Sequence, residues 1–239
     1  MPNRLWLLPV SLGGNAWSIW LPEAAQQQAC RITHFIAENA KTARAELKAM
    51  GHPVAMRDLH IEEIPAPLTS QDIDRLLLPL SPEQNETHDI AIVSEAGCPA
   101  IADPGALIVR RAHERGIAVK PLVGPSSLLL TLMASGLDGQ HFAFQGYLPA
   151  REPDRSKRIR ELERESSQRK QTQLFIETPY RNTALLNAII DSCQPDTLLC
   201  IASDVTLDSE QIRTLAIREW RRSLRPEIDR RPTVFALLA

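Results

Sequence analysis

Cysteine is scarce in this chain: four in 239 residues, with no C-x-x-C pair. A zinc site is therefore not expected, and Cys30, Cys98, Cys193 and Cys200 read as free thiols of a reducing compartment. The six histidines contain no H-x-x-x-H pair, which removes the usual helical metal motif as well. No apolar run approaches the roughly 20 residues that a membrane helix needs. The short run Leu5–Leu8 is broken by Pro9 and followed by Gly13 and Gly14, so it reads as a first strand and its turn, not as a signal peptide. A soluble cytoplasmic protein without a metal or a membrane partner is the expectation. Three nucleotide or nucleophile signatures are absent too: G-x-x-x-x-G-K-[ST], G-x-G-x-x-G after the first strand, and G-x-S-x-G.

What is present is ordinary globular composition, with 44% hydrophobic and 23% charged residues and a net charge of -2. That excludes a disordered chain, a fibrous repeat and a disulfide-stapled miniature. Apolar runs alternate with periodic polar stretches. Strands are expected at 4–9, 31–37, 89–93, 117–123, 142–147, 173–177, 198–202 and 233–238. Helices are expected at 21–29, 40–50, 70–78 with Ser70 as N-cap, 104–115, 126–135, 153–169 (an exposed, highly charged one) and 181–192. Alternation of this kind predicts an α/β protein. Its length fits two domains, placed at 1–121 and 122–239.

Four segments carry possible chemistry. In Val93-Ser94-Glu95-Ala96-Gly97-Cys98-Pro99-Ala100-Ile101-Ala102-Asp103-Pro104-Gly105 an apolar strand runs into a loop of small residues, and a helix follows. Ligands of open parallel sheets sit outside the carboxyl ends of strands, and small residues let them approach the backbone. Val123-Gly124-Pro125-Ser126-Ser127-Leu128 repeats the arrangement, with Ser126 or Ser127 free to cap the helix or to hold a polar group. Phe175-Ile176-Glu177-Thr178-Pro179-Tyr180-Arg181-Asn182 does so again, with Tyr180 and Arg181 suited to stacking and phosphate recognition. The last feature is basic clustering. Residues 151–170 hold eight Arg or Lys against five acids, and 218–231 hold six Arg against three. Such runs are usually solvated helix faces, but an RNA enzyme needs no more than a local basic patch.

Together these segments resemble the tetrapyrrole methylase superfamily, the class III S-adenosylmethionine-dependent methyltransferases. Within it the chain is most similar to the bacterial small-subunit ribosomal RNA cytidine 2′-O-methyltransferases. The family's V-S-D-A-G-T-P-x-I-S-D-P-G is Val93–Gly105 here, and its P-G-P-S-A-L is Val123–Leu128. Its F-x-G-F-L-P-R corresponds to Phe144–Pro149 with Arg151 one place late, and its F-Y-E-S-P-H-R to Phe175–Arg181. The sequence departs from the pattern at Glu95, Cys98 and Ala102, which stand for Asp, Thr and Ser. E-D-T-R becomes Glu38-Asn39-Ala40-Lys41, and T-P-I-G-N survives only loosely between Pro9 and Asn15.

The resemblance implies two α/β domains with mostly parallel or mixed sheets, an S-adenosyl-L-methionine site in the interdomain cleft, and a homodimer. It places Pro9, Ala96, Gly97, Cys98, Ile101, Ser126, Ser127, Glu177, Thr178, Ala202 (after its strand), Pro232 and Thr233 against the cofactor. Glu95 and Glu38 are the candidates for a general base acting on a ribose hydroxyl. Arg151, Arg155, Tyr180 and Arg181 are the candidates for contact with ribosomal RNA or the small subunit. Cys98 is expected to be a small pocket residue and not a nucleophile. Two other readings stay open at this point: a methylase of a tetrapyrrole or another small acidic molecule, and a cofactor- or RNA-binding protein without catalysis.

Overall fold

The computed structural model describes residues 3–14, 17–81 and 89–239. Asn15 of the N-terminal motif and His88 lie outside the described residues. The chain divides into two compact units, Met1–Ser126 and Ser127–Ala239.

The N-terminal unit runs β1 (Arg4–Leu8), α1 (Trp17–Trp20), α2 (Glu23–Ala29), β2 (His34–Ala37), α3 (Ala40–Ala49), β3 (His60–Glu63), α4 (Ser70–Leu76), β4 (Ile90–Val93), α5 (Gly105–Glu114) and β5 (Ala118–Pro121). All four strand pairings are parallel, in the order β3-β2-β4-β1-β5. Each strand has a period of two, and both faces of the sheet are covered. Phe35, Ala91, Val93 and Leu8 enter one core, while Ile36, Ile90, Ile92 and Leu5 enter the other. Burial on both faces is why β4 reads as an unbroken apolar run. Helix α4 is capped by Thr69, not by Ser70 as expected. The Thr69 hydroxyl accepts from the Asp72 amide at 3.2 Å, and the Asp72 carboxylate accepts from the Thr69 amide at 3.1 Å. That reciprocal pair satisfies two donors where a serine cap at 70 satisfies one.

The C-terminal unit runs α6 (Ser127–Ser135), β6 (Phe142–Tyr147), α7 (Asp154–Arg169), β7 (Thr172–Ile176), α8 (Asn182–Ser192), β8 (Leu198–Ser203), β9 (Gln211–Ala216), α9 (Ile217–Arg222) and β10 (Thr233–Leu238). Its sheet is mixed, ordered β6-β7-β10-β8-β9, with β6 and β7 parallel and the other pairs antiparallel. Phe175 and Phe235 are register partners whose rings stack 5.8 Å apart, and Trp220 is fully buried with its indole N–H donating to the Leu199 carbonyl at 2.9 Å. Helix α7 corrects the expectation of an exposed helix. Ile159, Leu162, Glu163 and Ser166 form a buried face, and Ile159 and Leu162 join the core of this unit. Their spacing of three marks an amphipathic helix whose polar face is merely wide.

Candidate active site

In the N-terminal sheet the connections from β1 and β4 depart in opposite directions. β1 leads to β2 on one side, β4 leads to β5 on the other, and β1 and β4 are neighbours. The carboxyl ends of this pair therefore form the topological switch point, where open α/β sheets hold their ligands. Pro9 and Val10 leave β1 there, and Ser94 to Gly97 leave β4. The two loops are tied together by backbone bonds, from the Val10 amide to the Gly97 carbonyl at 2.9 Å and from the Gly97 amide to the Ser11 carbonyl at 3.4 Å. The Ser94 hydroxyl donates to the carbonyls of Ala96 and Gly97 and fixes the turn out of the strand. Gly97 has φ +68°, and a Cβ there would meet Leu12 Cδ2 at 3.1 Å. Glycine is the residue that this turn admits.

The rest of the loop is held by Asp103. Its carboxylate accepts from the Ala100 amide at 2.9 and 3.0 Å and from the Gly105 amide at 2.7 Å. Ala100 and Ala102 both take left-handed φ, at 67° and 64°, an unfavourable conformation for alanine that these bonds help to offset. The result leaves Glu95, Ala96, Ile101 and Ala102 exposed around a fixed backbone. Asp103 was not among the residues singled out from sequence. The Asp-Pro-Gly spacing was the available signal, because an aspartate two residues before a turn amide makes an Asx turn.

Glu38, at the end of β2, lies beside this loop, and its carboxylate accepts from the Glu95 amide at 3.4 Å. Burial pushes the Glu38 carboxyl up, and the negative charges of Asp103 and Glu95 push the same way against the lowering effect of the amide. Burial likewise raises Asp103 against its two amide donors. Asp103→Asn removes one like charge, so the Glu38 carboxyl in that variant is expected to titrate at lower pH, as read by carboxyl NMR. An unchanged Glu38 titration would contradict the coupling. Cys98 is half-buried, donates its S–H to the Pro125 carbonyl at 3.3 Å, and has its thiol pushed up by burial. A thiol held in its protonated form is no nucleophile. Pro9 is buried against Gly124, Ser126 follows Pro125 at the end of this unit, and among the described residues no group of three or more metal-ligating side chains is found.

In the C-terminal unit a second group collects at one end of the sheet. β10 runs against β7 and β8, so its first residues lie beside their last ones, with Val234 paired to Ile176 and Thr233 to Ser203. This register brings Glu177 and Thr178 into line with Pro232 and Thr233. Ala202 lies inside β8, fully buried, and not after the strand as expected. The hydrogen-bonded strand extends one residue beyond the apolar run. The Glu177 side chain is fully buried. Its Oε1 accepts from the Thr178 amide at 2.6 Å, the Thr178 hydroxyl at 3.1 Å, and Arg181 Nε and Nη2 at 3.0 and 2.8 Å. Its Oε2 is buried with no hydrogen-bond donor. Asn182, fully buried, donates to the carbonyls of Ile228 and Arg231 and so fastens the segment that leads into β10. Ser127 opens α6.

The basic residues divide into paired and exposed ones. Arg155 is mostly buried and ion-paired with Glu152 at 2.9 Å, and Arg158 reaches Glu161 and Glu165. Arg181 holds Glu177, with its guanidinium 5.3 Å from the Tyr180 ring centroid. Arg151, Lys157, Arg160, Arg164 and Tyr180 are exposed.

Two parallel-to-mixed α/β units, with small-residue loops at strand ends, define a tetrapyrrole-methylase type of fold. The solved structure of the methyltransferase CobJ matches 99% of this chain and 94% of its own at a TM-score of 0.64 and 16% identity. A conserved hypothetical protein from Aeropyrum pernix matches at 0.66 and 12% identity. No protein-family model matches the chain. Among curated proteins, the ribosomal RNA small subunit methyltransferase I of Escherichia coli O157:H7 is 32% identical over 236 residues, 99% of this chain and 77% of that protein. The protein of the same name from Vibrio cholerae is 33% identical over 147 residues, 62% of this chain and 47% of its own length. The chain belongs to the ribosomal RNA small subunit methyltransferase I family, although its matches to the relatives from Vibrio cholerae and Pseudomonas aeruginosa span about half of their length.

Proposed function

We propose that this protein is an S-adenosyl-L-methionine-dependent methyltransferase that modifies a ribose 2′-hydroxyl of small-subunit ribosomal RNA. The observation that carries the reading is the switch point at the carboxyl ends of β1 and β4, with its locked, small-residue loop and a half-buried glutamate beside it. The residues suit the cofactor. Ala96 and Ile101 offer exposed apolar contact on a loop whose backbone is fixed by Ser94 and Asp103. When bound, S-adenosylmethionine supplies a methyl group already activated on a sulfonium. Pro9, Ala96, Gly97, Cys98, Ile101 and Ser126 are the cofactor candidates of the N-terminal unit, and Ser127, Glu177, Thr178, Ala202, Pro232 and Thr233 are those of the C-terminal unit. With the methyl donor so activated, alignment is the chief task of these residues, and good alignment is worth about 7–11 kcal/mol in favourable cases. Glu38 takes the hydroxyl proton. Its raised pKa makes it a stronger base than an ordinary carboxylate. Glu95, whose amide holds Glu38, orients it and is the alternative base.

Arg151, Tyr180 and the exposed cations of α7 meet the RNA strand in this reading, while Arg155 is taken up by its ion pair with Glu152. Arg151→Gln and Lys157→Gln are each expected to lower the salt dependence of RNA binding, by roughly 0.7 in the log–log slope per phosphate contact to a single strand. Unchanged slopes in both would contradict this face. Mapping 2′-O-methyl groups in ribosomal RNA from a strain lacking the gene, with and without complementation, tests the function. A ribose methyl that disappears and returns is expected. An unaltered map, with a small acidic acceptor methylated instead, would overturn the RNA assignment.

A further inference from the structure

We propose that Tyr147 and Tyr180 form a stacking platform for an unpaired base of the RNA substrate, with the Arg181 guanidinium as a fixed cation beside them. The inference rests on the RNA reading given above and names what part of the strand this surface takes. The chain has two tyrosines, and both are exposed, Tyr147 at 55% and Tyr180 at 67%. Phe35, Phe175, Phe235, Trp17 and Trp220, by contrast, are buried. A ring in solvent with a hydroxyl at its tip suits a nucleobase, because every base has a π-face to stack and a polar edge to keep wet.

The fold brings both tyrosines to one end of one sheet. β6 and β7 are parallel neighbours, Tyr147 ends β6, and Tyr180 lies in the turn Pro179–Arg181 just beyond β7. The register between the strands slips by one residue: Phe144 pairs with Leu174, but Tyr147 pairs with Ile176. Regular pairing would set Tyr147 opposite Glu177. Because side chains alternate along a strand, the extra residue turns Tyr147 to the face that Phe144 and Ile176 share. Gly146, at φ +65°, supplies the left-handed residue in this irregular stretch. Arg181 links the two tyrosines. Its guanidinium lies 5.3 Å from the Tyr180 ring centroid, and its Nε and Nη2 donate to Glu177 Oε1 at 3.0 and 2.8 Å. Glu177 raises the Arg181 pKa most, burial opposes it, and Tyr180 and Tyr147 add to the rise, so both phenols lie within reach of its field. With its charge answered by Glu177, the guanidinium offers a held planar surface more than a free charge. A strand whose base rests here has an exposed cation for its phosphate at Arg151, four residues beyond Tyr147.

Stacking and phosphate contact separate by salt. Stacking releases no counterions, so Tyr147→Ala and Tyr180→Ala should each raise the Kd for single-stranded RNA by roughly fivefold to a hundredfold with the salt slope unchanged. Tyr147→Phe and Tyr180→Phe keep the ring and should stay near wild type. Ring-labelled tyrosine gives a direct readout, because two tyrosines give two sets of ring signals that the single variants assign. The probes are a short single-stranded RNA of mixed sequence and the same backbone with abasic riboses. Both ring signals should shift with the first and stay in place with the second. Calorimetry with S-adenosylmethionine is the control arm, since the cofactor also carries a base, and its affinity should hold in both alanine variants. RNA binding by wild type that neither alanine variant weakens would overturn the platform and leave the RNA reading standing. Loss of cofactor affinity with RNA affinity intact would overturn it too and give the rings to the cofactor's adenine. Failure of wild type to bind the RNA would overturn the RNA reading itself, and the platform with it.

Discussion

Gly124→Ala should lose both stability and cofactor affinity. Gly124 follows β5, whose partner β1 ends at Leu8, one residue before Pro9, and the two strands run side by side through Leu7 and Pro121. An added Cβ would lie 2.3 Å from Pro9 Cβ and 2.6 Å from Pro9 Cγ. A proline ring cannot swing aside, because it is closed onto its own backbone. The backbone must move instead, and Val10, whose amide bonds the Gly97 carbonyl at 2.9 Å, moves with it. Overpacking of this kind costs about 1–3 kcal/mol. In a protein of this size each kcal/mol lowers Tm by roughly 2–4 °C. Cofactor affinity should fall at least about tenfold, the equivalent of 1.4 kcal/mol. Gly139→Ala is the control, since nothing lies within 4 Å of a Cβ at that position. A Gly124→Ala protein as stable as Gly139→Ala would contradict the close approach of the two strand ends.

Glu38→Gln is expected to move stability and rate in opposite directions. Burial and the charges of Asp103 and Glu95 raise the Glu38 carboxyl, so the folded state favours its protonated form. A carboxyl raised in this way contributes fully at pH below its unfolded pKa, and that contribution is lost as pH rises through the folded value. The glutamine variant carries no such charge. It should melt above wild type at pH 8, and the gap should close towards pH 4. Methyl transfer should fall by about 10²–10⁴-fold, the usual contribution of a general base. Scanning calorimetry at the two pH values and single-turnover transfer would measure both. An unchanged rate would move the base to Glu95 or elsewhere, and a lower melting temperature at pH 8 would contradict the electrostatic account.

Much of this was legible in the residues. The strands β1, β4, β7 and β10 announce themselves because both faces are covered and each carries an unbroken apolar run, at Leu5–Leu8, Ile90–Val93, Leu174–Ile176 and Val234–Leu238. Edge strands β3 and β9 did not. His60-Ile61-Glu62-Glu63 and Gln211-Ile212-Arg213 carry the charge that exposed edges require, and such charge hides a strand from a search for apolar runs. Helix α1 has four residues, too few for any period to show. The loops 94–105 and 177–182 were found as loops, but their internal bonding was not. Nothing in the order of Glu177 and Arg181 says that both guanidinium nitrogens bond one oxygen. The sequence also carries no sign that Pro9 and Gly124 are in contact, since a parallel register must be built before the two positions meet.

The most direct test is transfer of a labelled methyl group from S-adenosylmethionine to small ribosomal subunits, and to naked RNA, taken from a strain lacking this gene. The account predicts label in a ribose of the RNA, and markedly less with Glu38→Gln. Cofactor binding without transfer to either acceptor would contradict the RNA methyltransferase reading, while leaving the carboxyl ends of β1 and β4 as a candidate binding site.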